Sequence, residues 1–535
     1  MSSAEVRAAP GQPRRLSDLL TQARAVPCVF LAALFWFALL AWLRPLTNPD
    51  EGRYVGVALD MLTRGDWIVP RLDGLPFFHK PPLFYWLSAA SMGSFGVSEL
   101  AGRMPSLLGA SLAVASTFAL VRRWADPTTA WVSAMVLACM PYFYVGAQFA
   151  NLDMLVAGVM SATIATAAYA TLSREAGEAW RWLLTLAYAL AGLGLLAKGL
   201  IGLVLPGAVY VIWTLVRGKA RASLALLFFW PGWLVFAAVA LPWLVAMQLR
   251  YDSFFDYFIV TQHFRRFSGS GFNNAHPSWF FVPVILVLTM PWPLWLIAGG
   301  RKLMRRASWN DLDTLMLVWL LVIVVFFSIP SSKLIGYVLA ALPPLAVLVA
   351  RCALAMVRDW RGAMRWMQWT AGLAATLCAA AAIGLAMQQR ALNESVIQSV
   401  AGSVGTSDRV VMLDEYYYQV PFYWKRSTDS YIAGDWRESV AAARDNWRKE
   451  IWDAGRFESA RANRLLISVD DAARMSRCGG VTWFIGTTAW AAQPWLVANK
   501  PFATRGDVAI WRIEPASAAS APECSVPPKP PEAAP

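Results

Sequence analysis

The sequence predicts a polytopic α-helical membrane protein of about eleven spans with a soluble α/β domain at its C-terminal end. Three observations predict it. Of 535 residues, 57% are hydrophobic and only 15% charged, against about 25% charged in an ordinary soluble domain. The apolar residues come in blocks of about 20, the length a helix needs to cross a bilayer, and not in the ten-residue alternating strands of a membrane barrel. From about residue 389 the long apolar blocks give way to short mixed segments. This pattern excludes a soluble globular enzyme and a disordered chain. The 28 Trp, 27 Phe and 15 Tyr suit many membrane–water crossings.

Residues 1–24 are polar and basic, with Arg7, Arg14, Arg15 and Arg24. The first block, 25–43, is too long for a signal h-region and runs into Arg44-Pro45 without a cleavage pattern, so it reads as a retained span. Further blocks fall near 103–121, 128–147, 153–172, 181–197, 200–216, 224–246, 279–298, 313–329, 333–350 and 366–388. Pro141, Pro206, Pro242 and Pro343-Pro344 interrupt several, leaving room for two more short spans.

The net charge of +13 sits in short loops such as Arg301–Arg306. That is the positive-inside pattern and not a nucleic-acid-binding surface. Arg122-Arg123, Arg217–Arg221, Arg301–Arg306 and Arg351–Arg365 then share the cytoplasmic side with the N-terminus. Segments 45–101, 247–278 and 330–332 face outward. The expected organisation is a cytoplasmic 1–24, a transmembrane domain 25–388 with a long first outer loop 45–101, an outward α/β domain 389–515 and a disordered Ala/Pro/Ser tail 516–535. In the α/β domain, Arg409–Glu415, Ser430–Ile432, Leu465–Val469, Thr482–Ile485 and Val508–Ile513 read as strands, and Ser439–Lys449 and Asp471–Arg477 as helices. No cysteine pair has CxxC spacing; a Cys478–Cys524 disulfide is one option in an oxidising compartment.

The first outer loop carries the chemistry. It opens Thr47-Asn48-Pro49-Asp50-Glu51-Gly52-Arg53-Tyr54, where a proline before two acids marks a helix start. Asp50 sits at the positive end of that helix, and Asp50, Arg53, Tyr54 and Val57 share one face. Val55, Leu59 and Leu62 would seat the helix on the membrane surface. The plainer alternative is a capped interfacial helix with solvated charges. Further on, Pro76-Phe77-Phe78-His79-Lys80-Pro81-Pro82 holds Lys80 out of the α region beside an aromatic helix. A lysine so placed either meets a lipid phosphate or snorkels to water. Ser331-Ser332-Lys333-Leu334-Ile335-Gly336-Tyr337 also faces outward, with Lys333 and Tyr337 expected on one helical face, either contacting lipid phosphate or forming an ordinary interfacial pair. The aromatic run Asp414–Tyr423 is expected to pack on the membrane domain.

All three histidines, His79, His263 and His276, fall in outward segments. Converging from two loops they would suit a structural Zn²⁺; the alternative is three separate interfacial histidines. Nothing points to an organic cofactor.

Asp50-Glu51-x-Arg53-Tyr54, Gly65-Asp66-Trp67, His79-Lys80-Pro81-Pro82-x-x-Tyr85-Trp86 and Arg103-x-Pro105-Ser106 together resemble the lipid A 4-amino-4-deoxy-L-arabinose transferases. These are GT-C membrane glycosyltransferases related to the protein O-mannosyltransferases. The resemblance implies thirteen spans, an undecaprenyl-phosphate-linked sugar donor and a lipid A acceptor at the periplasmic face of the inner membrane. It implies Asp50 as principal catalytic carboxylate and Asp153 as the second acidic position, a helix N-cap being the alternative for Asp153. The departing phosphate needs cations: Lys80 first, then Arg265, with Arg53 and Lys198 as further candidates, and Tyr54 and Tyr85 beside them. A first-loop acidic metal ligand is also implied, and His79 stands at that place here. The closest rival is an enzyme of the same architecture that glycosylates protein. A transporter would place its ionisable residues at the bilayer midplane, whereas here they crowd the outer interface.

Overall fold

The computed structural model describes residues 16–265, 274–305, 309–360, 362–392, 395–425, 429–442 and 444–514. Each of the eleven apolar blocks contains a helix. The helices used below are α1 (Leu16–Ala38), α2 (Asp50–Arg64), α3 (Leu83–Phe95), α4 (Glu99–Trp124), α5 (Pro127–Ala138), α6 (Pro141–Ala147), α7 (Leu152–Glu175), α8 (Arg181–Lys198), α9 (Ile201–Val216), α10 (Trp230–Arg250), α11 (Phe281–Leu288), α12 (Pro293–Arg305), α13 (Asp311–Ser328), α14 (Leu342–Asp359) and α15 (Ala363–Ala391). Among the described residues seven helices are long and apolar enough to cross a membrane, or nine when each of two bent pairs counts as one span; Arg24–Ala38 and Ile201–Val216 are shorter apolar helices.

The prolines act selectively. The α5–α6 pair bends by 65° just before Pro141, and α11–α12 by 103° across Pro291 and Pro293, where missing N–H donors interrupt the helical ladder. Pro206 and Pro242 instead lie inside the continuous helices α9 and α10. Pro343 and Pro344 occupy the first turn of α14, where their missing donors cost nothing. At the centre of the bundle α4 crosses α7 backbone to backbone. A Cβ on Gly158 would collide with the Gly109 carbonyl, so only glycine permits this approach, the small-residue packing that membrane helices favour.

The two ends of the bundle differ. At one end Arg217 pairs with Glu175 at 2.6 Å and with Asp311, Lys219 reaches Glu175 at 2.9 Å, and Arg351 reaches Asp313 at 2.8 Å. These belong to the loops that the positive-inside rule groups together. At the other end lie the first loop and the C-terminal domain.

That domain is a six-stranded sheet of order β5-β4-β3-β6-β8-β7, comprising β3 (Arg409–Leu413), β4 (Tyr431–Ala433), β5 (Leu466–Ile467), β6 (Thr482–Thr487), β7 (Ala503–Arg505) and β8 (Val508–Ile513). The β5, β4, β3 and β6 strands are parallel; β8 and β7 add antiparallel, with Phe484 opposite Trp511. Five strands fall where the sequence predicts them. The sixth, β7, is a short edge strand without an apolar run. The predicted helix 439–449 is instead two pieces, Glu438–Ala441 and α16 (Trp447–Gly455). Asn446 breaks them by accepting hydrogen bonds from the Arg448 and Lys449 amides. Cys478 is disulfide-bonded; Cys524 and the tail 516–535 lie outside the described residues.

A small hairpin in the first loop, β1 (Arg71–Leu72) with β2 (Leu75–Pro76), fastens the two domains. Arg71 makes a two-pronged ion pair with Glu458 at 2.8 and 2.9 Å, and Asp73 accepts from the Ser430 amide at 3.0 Å. The aromatic run packs on the membrane domain as expected: the Tyr423 hydroxyl accepts from the Leu46 amide at 2.8 Å and Gln419 Nε2 donates to the Leu46 carbonyl at 3.0 Å.

Candidate active site

The helix that opens the first loop organises the site. In α2 successive side chains turn by about 100°, so adjacent acids point apart. Asp50 faces a cavity, its side chain 51% exposed. Glu51 faces inward with Val55 and Ala58, all three fully buried. The Glu51 carboxylate accepts from Arg103 at 2.8 and 3.0 Å, from Arg44, from the Thr47 amide and hydroxyl at 2.9 Å, and from the Ala150 amide at 2.8 Å. Burial pushes this carboxyl up, but the Arg103 and Arg44 guanidiniums outweigh burial and hold it below the ordinary carboxylate range. Arg103, itself fully buried, also donates to the carbonyls of Ala41, Arg44 and Pro45. The Asp-Glu and Arg-x-Pro-Ser motifs therefore meet in one ion pair that ties the first loop to α4 and to the link before α7. The apolar face of α2 packs inside the protein and not on a membrane surface: Val55 is buried and Leu59 only 3% exposed.

The cavity has a volume of about 550 Å³. Its lining comes from the first loop (Asp50, Arg53, Tyr54, His79, Lys80), from the ends of α7 and α8 (Asp153, Lys198), from Tyr337, and from the C-terminal domain (Tyr418, Glu450). Residues up to about 400 positions apart thus converge. The membrane segments in this set are those that the sequence places on the outward side.

The structure sorts the predicted residues. Asp50 and Arg53 pair at 3.2 Å across i, i+3, as their spacing predicts. Arg53 also binds Glu450 at 2.7 Å, between the rings of Tyr54 and Tyr418. Two carboxylates thus meet its charge, and Arg53 links the first loop to α16 while lining the cavity. Asp153 does not cap its helix; Asn151 does, accepting from the Asp153 amide at 2.8 Å. Nor does Asp153 stand unpaired, because Lys198 binds it, with the lysine nitrogen 4.6 Å from the Tyr337 ring centroid. Lys80 lines the same cavity.

Others are corrected. Lys333, only 2% exposed, spends its ammonium on the carbonyls of His276, at 2.9 Å, and Pro330, and it precedes the short 3₁₀ helix Ile335–Ala341 that carries Tyr337. The two share no helical face, and Lys333 is a loop clasp. Tyr85 is buried behind Tyr54, ring centroids 6.5 Å apart, so it supports the lining without forming it. The side chains of Arg265 and His263 lie outside the described residues.

Among the described residues no group of three or more His, Cys, Asp or Glu is placed to hold an ion. His79 stacks on Phe77 at 4.6 Å, and its Nε2 shares a hydrogen bond with the Tyr257 hydroxyl at 2.6 Å. His276 stacks on Phe280 at 4.0 Å. The His263 side chain, the third member of the expected set, lies outside the described residues.

Glu51, Glu450 and Tyr418 are the residues that sequence reasoning missed. Glu51 was detectable, since it shares the i, i+4, i+7 positions of the apolar face of α2 and a lone acid there demands a buried partner. Glu450 and Tyr418 carry no local signal, because only the docking of the C-terminal domain brings them to the cavity.

Comparison with known proteins agrees with this architecture. Residues 79–245 match the dolichyl-phosphate-mannose-protein mannosyltransferase family. A structure of ArnT from Cupriavidus metallidurans, bound to undecaprenyl phosphate, superposes with a TM-score of 0.73 over 93% of this chain and 98% of that one, at 20% identity. The chain has the GT-C fold of ArnT. Among sequence relatives of this GT-C protein, the undecaprenyl phosphate-α-4-amino-4-deoxy-L-arabinose arabinosyl transferase of Aeromonas salmonicida is 32% identical over 372 residues, 68% of this chain and 66% of the relative. That of Erwinia tasmaniensis is 33% identical over 316 residues, 58% of this chain and 55% of the relative. The matched stretch is thus just under two thirds of the first relative's length and about half of the other's.

Proposed function

We propose that this GT-C protein transfers 4-amino-4-deoxy-L-arabinose from undecaprenyl phosphate to a lipid A phosphate at the periplasmic face of the inner membrane. The observation that carries the reading is one cavity holding an open carboxylate, Asp50, together with the cations Lys80 and Lys198, at the end of the bundle opposite the basic loops. The names of the sequence relatives supply the sugar and the donor.

The chemistry suits these residues. An oxygen of the acceptor phosphate attacks C1 of the sugar, the bond from C1 to the lipid phosphate breaks, and undecaprenyl phosphate leaves. The transition state carries positive charge on the sugar ring, which a nearby carboxylate stabilises. The attacking phosphate is already an anion and needs no base, so Asp50 acts by charge and position. The departing phosphate gathers negative charge, which Lys80, Lys198 and Arg265 offset. Asp153 fixes the Lys198 ammonium and Tyr337 flanks it.

The test is mass spectrometry of lipid A after expression in a Gram-negative host lacking its own transferase. Lipid A heavier by one aminopentose, absent with Asp50→Asn, supports the reading. Unmodified lipid A beside a newly glycosylated protein would instead favour a protein O-mannosyltransferase-like enzyme, the activity named by the family matched at residues 79–245.

A further inference from the structure

We propose that a second groove, where the first and last spans meet the C-terminal domain, binds the anionic headgroup of a membrane phospholipid. The groove has a volume of about 510 Å³, and its lining includes Trp42, Glu99, Arg390, Ser395, Ser399 and Arg505. It shares no lining residue with the candidate active site.

Its place in the fold is the first argument. Trp42 follows α1 and is 61% exposed. Arg390 lies in the last turn of α15, and Arg505 sits on β7, the edge strand of the sheet. An exposed tryptophan at the end of a span marks the headgroup level of a bilayer. One turn before Arg390, Met387 is 69% exposed, and Leu39 beside Trp42 is 45% exposed. These apolar surfaces suit acyl chains.

Charge is the second argument. The arginines that join the first loop to the C-terminal domain are neutralised: Arg53 by Glu450, Arg71 by Glu458 and Arg64 by Asp429. Arg390 and Arg505 differ. Arg390 gives one donor to the Leu43 carbonyl at 2.9 Å, and Arg505 gives one to the Ser395 hydroxyl at 2.6 Å. Among the described residues neither is ion-paired with a carboxylate. A guanidinium has five donors, so each keeps several for phosphate oxygens, with serine hydroxyls alongside. Among the described lining residues Glu99 offsets one of the two cations and leaves one net positive charge. That matches the single charge of a phosphodiester better than a phosphate dianion, and an anionic headgroup better than a zwitterionic one.

The experiment uses the full chain in detergent and native mass spectrometry with three probes in turn: phosphatidylglycerol, phosphatidylethanolamine and inorganic phosphate. Wild type is expected to retain one more phosphatidylglycerol than Arg390→Gln/Arg505→Gln. Each lost arginine should weaken retention about fivefold, the effect of one basic residue near an anionic surface, and the pair about 25-fold. Glu99→Gln should strengthen it, a gain that unfolding cannot produce. The melting temperature in lipid-free detergent identifies any variant that fails to fold. Equal retention by wild type and the double variant, equal retention of phosphatidylethanolamine, or no gain with Glu99→Gln would each overturn the proposal. Displacement of phosphatidylglycerol by millimolar inorganic phosphate would overturn it too, in favour of a free-anion site.

Discussion

Glu51→Gln and Asp50→Asn are isosteric, adjacent and chemically identical, yet they should fail in different ways. Glu51 is fully buried and its carboxylate is the only anion facing Arg103 and Arg44 in the described structure. The amide cannot offset two buried guanidiniums, and its NH₂ group would face donors that the carboxylate accepts from. Breaking a buried ion pair from one side costs about 3–5 kcal/mol, a large share of the 5–15 kcal/mol that holds a typical domain together. Asp50 is half exposed with a single 3.2 Å contact to Arg53, and a surface pair of that kind contributes about 0–1 kcal/mol. Fluorescence-detected gel filtration of heated, detergent-solubilised protein measures stability, and mass spectrometry of lipid A measures transfer. Glu51→Gln should lose folded protein, and with it activity. Asp50→Asn should melt near wild type and lose transfer. The Glu51 carboxyl is held below its ordinary value, so its stabilisation is complete above the unfolded carboxylate range. It is lost only as pH falls through the depressed native value; Glu51→Gln should therefore be destabilising at pH 8 and pH 6 alike. A Glu51→Gln protein as stable as wild type would refute the buried keystone, and a fully active Asp50→Asn would remove Asp50 from the mechanism.

Three further outcomes are expected. Lys80→Ala and Arg265→Ala should weaken polyprenyl phosphate binding without unfolding the protein, by roughly 1.5–3 kcal/mol each for a charge-assisted hydrogen bond; binding at wild-type strength in both would place the leaving phosphate elsewhere. Asp153→Asn and Lys198→Met should each lower stability, because each leaves its partner's charge in a site where the side chains are only 6% and 13% exposed, whereas the double variant should recover stability but not activity; additive losses in that cycle would argue against the pair. Asp73 is pushed up to about 8 by burial and then by the Asp429 charge. The native state therefore holds a proton that the unfolded chain releases near pH 4, and stability should fall as pH rises between those values. Asp73→Asn keeps the acceptor for the Ser430 amide, and its melting temperature should fall less from pH 5 to pH 8 than that of wild type; an unchanged slope would show that Asp73 titrates normally.

The helices were legible because bilayer thickness imposes one length and one composition on them, and eleven apolar blocks are eleven helical regions for that reason. The sheet was legible strand by strand, except for Ala503–Arg505, which pairs at an edge and buries little. The site was legible where chemistry follows local geometry. Asp50 and Arg53 meet because a helix brings i and i+3 together, and Lys80 reaches the cavity from the bend just before Pro81. It was not legible where pairing is decided in three dimensions. Asp153 and Lys198 lie 45 residues apart, and only the packing of α7 beside α8 joins them. Lys333 and Tyr337 have helical spacing, but the chain between them is first an extended bridge to Asn274 and then a 3₁₀ turn. The acidic pair shows the general reason. A sequence motif records that Asp50, Glu51 and Arg103 occur together, not which acid the arginine takes. The helical wheel decides that: Glu51 falls on the buried face and binds Arg103, and this leaves Asp50, turned about 100° away, open to the cavity. The carboxylate that faces the cavity is thus the one that the fold does not consume.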